Sequence, residues 1–444
     1  MRHFTTSAVA ALMMSATPVL AADLPVAPEP VEYVQICDAY GTGYFYIPGT
    51  DTCLRIRGRV RAEYRFNNFG AAPSDWSERF RNSTSTRARG YIRMDARTQT
   101  EYGLLRAYID LFGTVDTPGF IQDDSSDPFV NRPVGSFGVD QDNTVMTLDY
   151  AFIQFGGMTV GRAQSFYDFW TGYAYGAITT VAYSDQNLWL AGYTFDLGNG
   201  LSTSWSVEDR TARQQDLFTG QYLNQIDYSS STFFDTNIYN QGYGGMRFPD
   251  LVANIRLDQG WGSAQIMGAL SEIRYLESYP SGKLGWAIGG GIEFNLPWFT
   301  NYVSGFQAVV QATYAQGAMG YVNSDWQNVN WDATAQTDGE DGITTGWSVA
   351  WGFQADFTPE WNAALQASFA NARPYHLWNQ NQWDVVGKIG WTPVNGFEIG
   401  TEVAYRNVGL GDLFPDYELN DGNPTRPLGQ QDIISVLIRV QRDF

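Results

Sequence analysis

The sequence predicts an all-β fold, a 16-stranded antiparallel transmembrane β-barrel with short periplasmic turns, long extracellular loops and a third loop folded inward. Three observations carry this. In Leu54–Phe66 the even positions hold Leu54, Ile56, Gly58, Val60, Ala62, Tyr64 and Phe66, while Arg55, Arg57, Arg59, Arg61, Glu63 and Arg65 fill the odd ones. A two-residue period puts one set on each face of a strand. The pattern recurs with no segment left to cover the apolar faces, so those faces meet lipid and the polar ones meet water. Beyond the N-terminus no apolar run reaches about 18 residues, which argues against membrane helices but not against membrane strands. Finally, the connections alternate between short and long, as outer-membrane barrels do.

The N-terminus comes first. Arg2 and His3 precede the apolar stretch Ala8–Met14, and Val19-Leu20-Ala21 supplies a cleavage site, so residues 1–21 read as a Sec signal peptide. The formal charge is −20 and becomes −21 once Arg2 is removed. Such acidity disfavours nucleic acid as a partner. Residues 22–52 read as a periplasmic arm that begins with the Pro-rich stretch Leu24–Val31. Cys37 and Cys53 are the only cysteines, and export to an oxidising compartment favours a disulfide between them over two free buried thiols.

The barrel occupies residues 53–444. Alternation gives strands near 53–66, 87–100, 104–112, 144–155, 158–165, 187–196, 201–209, 250–258, 262–274, 284–295, 302–315, 344–357, 361–370, 382–392, 397–406 and 431–444. Gly156-Gly157, Leu197-Gly-Asn-Gly200 and Pro393-Val-Asn-Gly396 are typical of the short turns, whereas 67–86, 113–143, 166–186, 210–249, 316–343 and 407–430 are long. Trp347, Val349, Trp351, Phe353, Ala355 and Phe357 share one face, and Trp361, Phe369, Trp383 and Trp391 sit at the ends of the next two. Aromatics at both ends of outward faces form interfacial girdles. The last strand ends the chain on Phe444, which resembles the signal read by the barrel assembly machinery.

Enzyme chemistry is poorly supplied. After the signal peptide one histidine remains, His376, which cannot build a multi-histidine metal site, and Lys283 and Lys388 lie far from any phosphate loop. No cofactor is expected. The acidic clusters Asp123-Asp124 with Asp127, and Asp338 with Glu340-Asp341, suit solvated loop tips, with a divalent cation bridging to lipopolysaccharide as the alternative.

The strongest constellation is basic. Arg55, Arg57, Arg59, Arg61 and Arg65 share a face of the first strand, Arg87, Arg89, Arg93 and Arg97 a face of the second, and Arg106 lies on the third. Arg79 and Arg81 fall between the first two. A charge facing lipid would cost about 2–4 kcal/mol near the midplane, so these side chains face the lumen. Barrel closure adds Arg439 from the last strand. Opposite this wall, the long third connection from Phe166 to Asp185 is expected to fold inward as a constriction, with Asp168 and Asp185 turned to the arginines. Its aromatics Trp170, Tyr173 and Tyr175 offer, alternatively, surfaces on which sugars could stack.

Two segments carry a family resemblance. Val34–Leu54, running on to Tyr64, and Ala151–Phe166 resemble the N-terminus and the strand–turn–strand before the constricting loop of the alphaproteobacterial general porins. The resemblance extends over the mature chain. It implies a homotrimer in the outer membrane, a water-filled channel for passive diffusion of ions and small hydrophilic solutes, with a solute-selective channel as the alternative.

Overall fold

Alternating apolar and polar residues can satisfy their backbone groups in a membrane only if the sheet closes on itself. In the computed structural model it does. Described are residues 35–70, 74–77, 82–117, 143–219, 243–275, 282–296, 304–326, 331–335, 341–375, 379–410 and 431–444. His376, Arg79, Arg81 and the acidic positions 123, 124, 127, 338 and 340 lie outside these residues.

Sixteen strands make the wall: β1 Cys53–Phe66, β2 Thr84–Thr100, β3 Gly103–Asp116, β4 Asn143–Phe155, β5 Met158–Gln164, β6 Asn187–Gly198, β7 Leu201–Glu208, β8 Asp250–Gln259, β9 Gly262–Ile273, β10 Lys283–Asn295, β11 Ser304–Gln316, β12 Thr345–Asp356, β13 Trp361–Arg373, β14 Gln380–Val394, β15 Phe397–Leu410 and β16 Gln431–Asp443. Each pairs antiparallel with its neighbours, and β16 returns to β1 from Arg59↔Asp443 to Phe66↔Val436. Phe444 closes the seam, its carbonyl accepting from the Gly58 N–H at 2.8 Å and its own N–H donating to the Gly58 carbonyl at 3.0 Å. Several strands run longer than alternation alone indicates, and others end a residue or two short of it; β2 begins at Thr84 and β3 continues to Asp116, where Arg87 opposes Asp116. Polar residues on both faces near the extracellular rim hide such extensions from a pattern reading.

Short turns obey local chemistry. Asn199 (φ 54°) and Gly200 (φ 75°) both adopt positive φ, the requirement of a tight hairpin turn between twisted strands. At the opposite rim two long connections build a small sheet, with Trp331–Ala335 pairing parallel to Asp216–Thr219 and antiparallel to Asp341–Ile343. Sequence periodicity does not reveal it, because its strands are three to five residues long.

The segment before β1 folds back onto the barrel. Phe45–Tyr46 pairs with Leu54 and Cys53, and Cys37 is bonded to Cys53. Tyr44 is buried and donates its hydroxyl to Asp95 at 2.8 Å, with Arg55 and Arg97 over its ring. Thiol labelling of denatured, unreduced protein should therefore find no free cysteine, and stoichiometric labelling of both would contradict the bond. Replacing both by Ala should lower stability by about 3 kcal/mol, the value for a loop of this length.

Candidate functional site

The inner wall is sharply asymmetric. On β1 and β2 most inward positions carry arginine, and β3 and β16 add Arg106 and Arg439. On β10, β12 and β15 they carry glycine, at Gly289, Gly291, Gly352 and Gly400. A lumen wall bare at these four positions has room for something else, and the chain from Ser165 to Gln186 fills it.

Its entry follows from strand length. β5 holds seven residues, fewer than the roughly 9–11 a spanning strand needs, so the chain leaves the wall part-way up. Glu208 on β7 catches it at once, accepting from Ser165 Oγ at 2.6 Å and from the Phe166 N–H at 3.0 Å. The segment then crosses the interior on inward-facing side chains. Asn254 donates to the Phe166 carbonyl (2.6 Å), Gln311 accepts from Trp170 N–H (3.3 Å), and Gln366 accepts from Tyr173 and Ala174 N–H (2.9 and 3.1 Å). At the far end Glu402 on β15 accepts from Gly176 and Ala177 N–H at 3.0 and 3.3 Å. The chain returns past Asp325, which accepts from Thr180 N–H, and past Ser368, which accepts from Ala182 N–H. A loop in a wet lumen holds one conformation when its backbone donors find partners. Here they do.

Packing completes the fit. A Cβ at Gly352 would stand 2.6 Å from the Trp170 ring, one at Gly192 would meet Phe166 at 2.7 Å, and one at Gly289 would meet the Tyr167 hydroxyl at 2.9 Å. Gly291 and Gly400 receive Phe169 and Tyr175 in the same way. Each glycine admits one aromatic side chain against the backbone.

Trp170 is buried, edge-on to Tyr173 and Tyr183, so its faces are not open to a stacked sugar. The Tyr173 hydroxyl donates to Glu293 and that of Tyr175 to Glu398, and the Tyr175 ring lies between Arg439 (4.1 Å) and Lys388 (4.5 Å). All three hold the segment to the wall.

Asp168 departs from the expectation that it faces the arginine wall. Its carboxylate is buried against Arg213 at 2.9 Å and accepts from Ser184 Oγ, Gln186 N–H and Gln164 Nε2. Arg213 ends the short helix Arg210–Arg213, far off in the chain, and reaches back to hold the loop's two ends together. Asp185 is half-buried and accepts from Gln164 at 3.0 Å. Burial, and next the nearby Asp168 charge, push its carboxyl up to about 6, so it loses charge in mild acid. Near the extracellular sheet, buried Asp332 accepts from Met319 N–H (2.7 Å), Gln215 N–H (3.0 Å) and the Tyr243 hydroxyl (2.6 Å). Burial pushes it up to about 7.

The arginines are brought together as one wall, laced with carboxylates of its own strands. Asp95 serves Arg97 and Arg106 at 2.9 Å and Arg55 at 3.7 Å; Asp110 pairs with Arg93 (2.5 Å), Asp116 with Arg87 (2.8 Å), Glu63 with Arg439 (2.5 Å) and Arg61 (3.4 Å), and Asp443 with Arg59 (2.5 Å). Arg65 points inward on the same face of β1, and Arg89 donates to Thr114 Oγ1.

Residues 23–435 match the sequence profile described as the porin subfamily. The chain belongs to the porin family. It is 28% identical over 440 residues to a protein named Porin Omp2b of Brucella suis, covering 98% of this chain and 97% of that one. A Porin Omp2b of Brucella abortus (strain 2308) is 27% identical over 409 residues, covering 90% and 91%. In fold the porin is similar to the outer membrane channel DcaP of Acinetobacter baumannii, at a TM-score of 0.61 and 14% identity over 90% of this chain and 99% of that one. As a porin it is an outer-membrane channel for passive diffusion.

Proposed function

We propose that this porin passes ions and small hydrophilic solutes through a water-filled gap bounded by the arginine wall and by the segment Ser165–Gln186. The single observation supporting this is the anchoring of that segment to inward side chains of β7 through β15, so that it meets the arginine wall at its tip, where Tyr175 packs on Arg439, and otherwise lies across the lumen from it. Residues 1–21 act as a signal peptide removed on export, and residues 22–52 as an arm at the periplasmic mouth. The strand ending in Phe444 is read by the barrel assembly machinery, and lipopolysaccharide surrounds the outer rim.

The porin works as a homotrimer. Outward positions of β6–β15 carry Trp189, Tyr193, Trp205, Trp347, Trp351, Trp361, Trp383 and Trp391, which suit a lipid interface. Those of β1–β4 carry no tryptophan; exposed aliphatics such as Ile56, Val60, Ile92 and Ile153 alternate there with Ala62, Ala88, Gly90 and Ala107, an apolar face on which copies can pack.

Planar-bilayer recording tests the channel. The current should be ohmic and insensitive to neutral sugars; block by a sugar would mark a selective channel instead. Replacing Arg57, Arg59 and Arg61 together by Gln should move the reversal potential in a salt gradient toward cation preference, because the wall then loses its field. An unchanged potential would mean these side chains do not line the path.

A further inference from the structure

The arginine wall does more than balance charge. We propose that it is an anion track, a row of guanidiniums around Tyr91 and Phe112 that binds small organic acids through their carboxylates as they pass. The proposal rests on the reading that this wall lines the conducting path, and it deepens that reading by naming a solute class.

Burial supplies the first argument. The Asp110 side chain is 3% exposed while that of its partner Arg93 is 28% exposed. Asp95 is 4% exposed beneath Arg55, Arg97 and Arg106, each at 22–25%. In these two cases the carboxylate lies underneath and the guanidinium faces water, whereas at the seam Asp443 is more exposed than its partner Arg59. A solute in the lumen meets N–H donors and positive charge, even though ion pairs are present.

Register supplies the second. Arg57 stands directly opposite Arg93, and Arg61 directly opposite Arg89, across the β1–β2 ladder. Like charges at such positions destabilise a sheet, and an anion between them relieves the repulsion. The rungs 57/93, 59/91 and 61/89 follow at about 7 Å, so an anion leaving one rung meets the next.

The aromatic pair is the third. Tyr91 and Phe112 lie 5.1 Å apart, with Arg61 and Arg93 at 5.1 Å and Arg59 at 6.0 Å from the Tyr91 ring, and Arg89 at 4.3 Å from that of Phe112. Stacking fixes the guanidinium planes and leaves their edges for a carboxylate, which takes two parallel N–H donors. Among the described residues neither Arg57, which is exposed, nor Arg89 has a carboxylate partner. Across the gap Asp168 offers little counter-charge, because Arg213 covers it.

The test uses the whole porin in a planar bilayer, with citrate as probe and maltose as the uncharged control. Chloride should permeate severalfold better than potassium at neutral pH, and millimolar citrate should reduce the chloride current saturably while maltose does not. R57Q/R89Q should weaken citrate block about tenfold, as loss of charge-assisted donors implies. R57K/R89K should keep the chloride preference yet lose much of the citrate block, because lysine cannot form the two-pronged contact. A conducting wild-type channel that prefers potassium and ignores citrate overturns the anion track and leaves the channel intact. Equal citrate block in wild type and R57Q/R89Q overturns it too. A bilayer that never conducts overturns both readings.

Discussion

Deleting Trp170–Ala177 should enlarge single-channel conductance about twofold or more and admit larger sugars in liposome swelling, because the narrowest level sets the current. The barrel should survive. Its stability resides in the ladders from β1 round to β16, none of which includes this segment. The wall groups left behind, Gln311, Gln366 and Glu402, become hydrated in an aqueous lumen rather than stranded in a dry core. Arg439 keeps Glu63 when it loses Tyr175. Only the space between Gly291, Gly352 and Gly400 changes, filled by aromatics in the native chain and by water in the variant. Conductance and size cutoff identical to wild type would place the limiting passage elsewhere.

Much of this was legible because strand alternation is local. Leu54–Phe66 declares its two faces within one strand, and the physical cost of a lipid-facing charge turns that into an inside and an outside. Loop position was legible for a similar reason, since the short β5 and the Gly156-Gly157 turn lie beside it in sequence. The partners were not. Arg213, Glu208, Gln366 and Glu402 reach the loop from four separate elements, and only closure of the barrel brings them within hydrogen-bonding distance. Asp168 looked free to face the arginines because nothing near it in sequence neutralises it. One signal for the seat of the loop does lie in the sequence. Inward-parity glycines on β10, β12 and β15 leave a hole in a wall otherwise lined by side chains, and the aromatic run Phe166–Tyr175 has the volume to fill it.

Asp168→Ala should release that loop more effectively than any substitution of its aromatics. The variant leaves the Arg213 guanidinium buried among Tyr167, Tyr321 and Ser184 without the carboxylate it contacts, and Glu208 acts on it only from a distance. Breaking one half of a buried pair typically costs about 3–5 kcal/mol. The carboxylate also joins both ends of the segment, accepting from Gln164 just before it and from Gln186 at its end. The expected result is a noisier, larger single-channel current and a lower unfolding temperature. Asp168→Asn should recover little, since shape returns without charge. The double variant Asp168→Leu/Arg213→Met removes both ions, and apolar pairs often replace buried ion pairs at little cost. It should therefore be quieter and more stable than Asp168→Ala, with a coupling energy of about 2 kcal/mol in the cycle completed by Asp168→Leu and Arg213→Met alone. Recovery stays incomplete because the Gln186 N–H still lacks its acceptor. If the two single variants simply add, the pair does not hold the loop, and the hydrogen bonds to Glu208, Gln366 and Glu402 must do so without it.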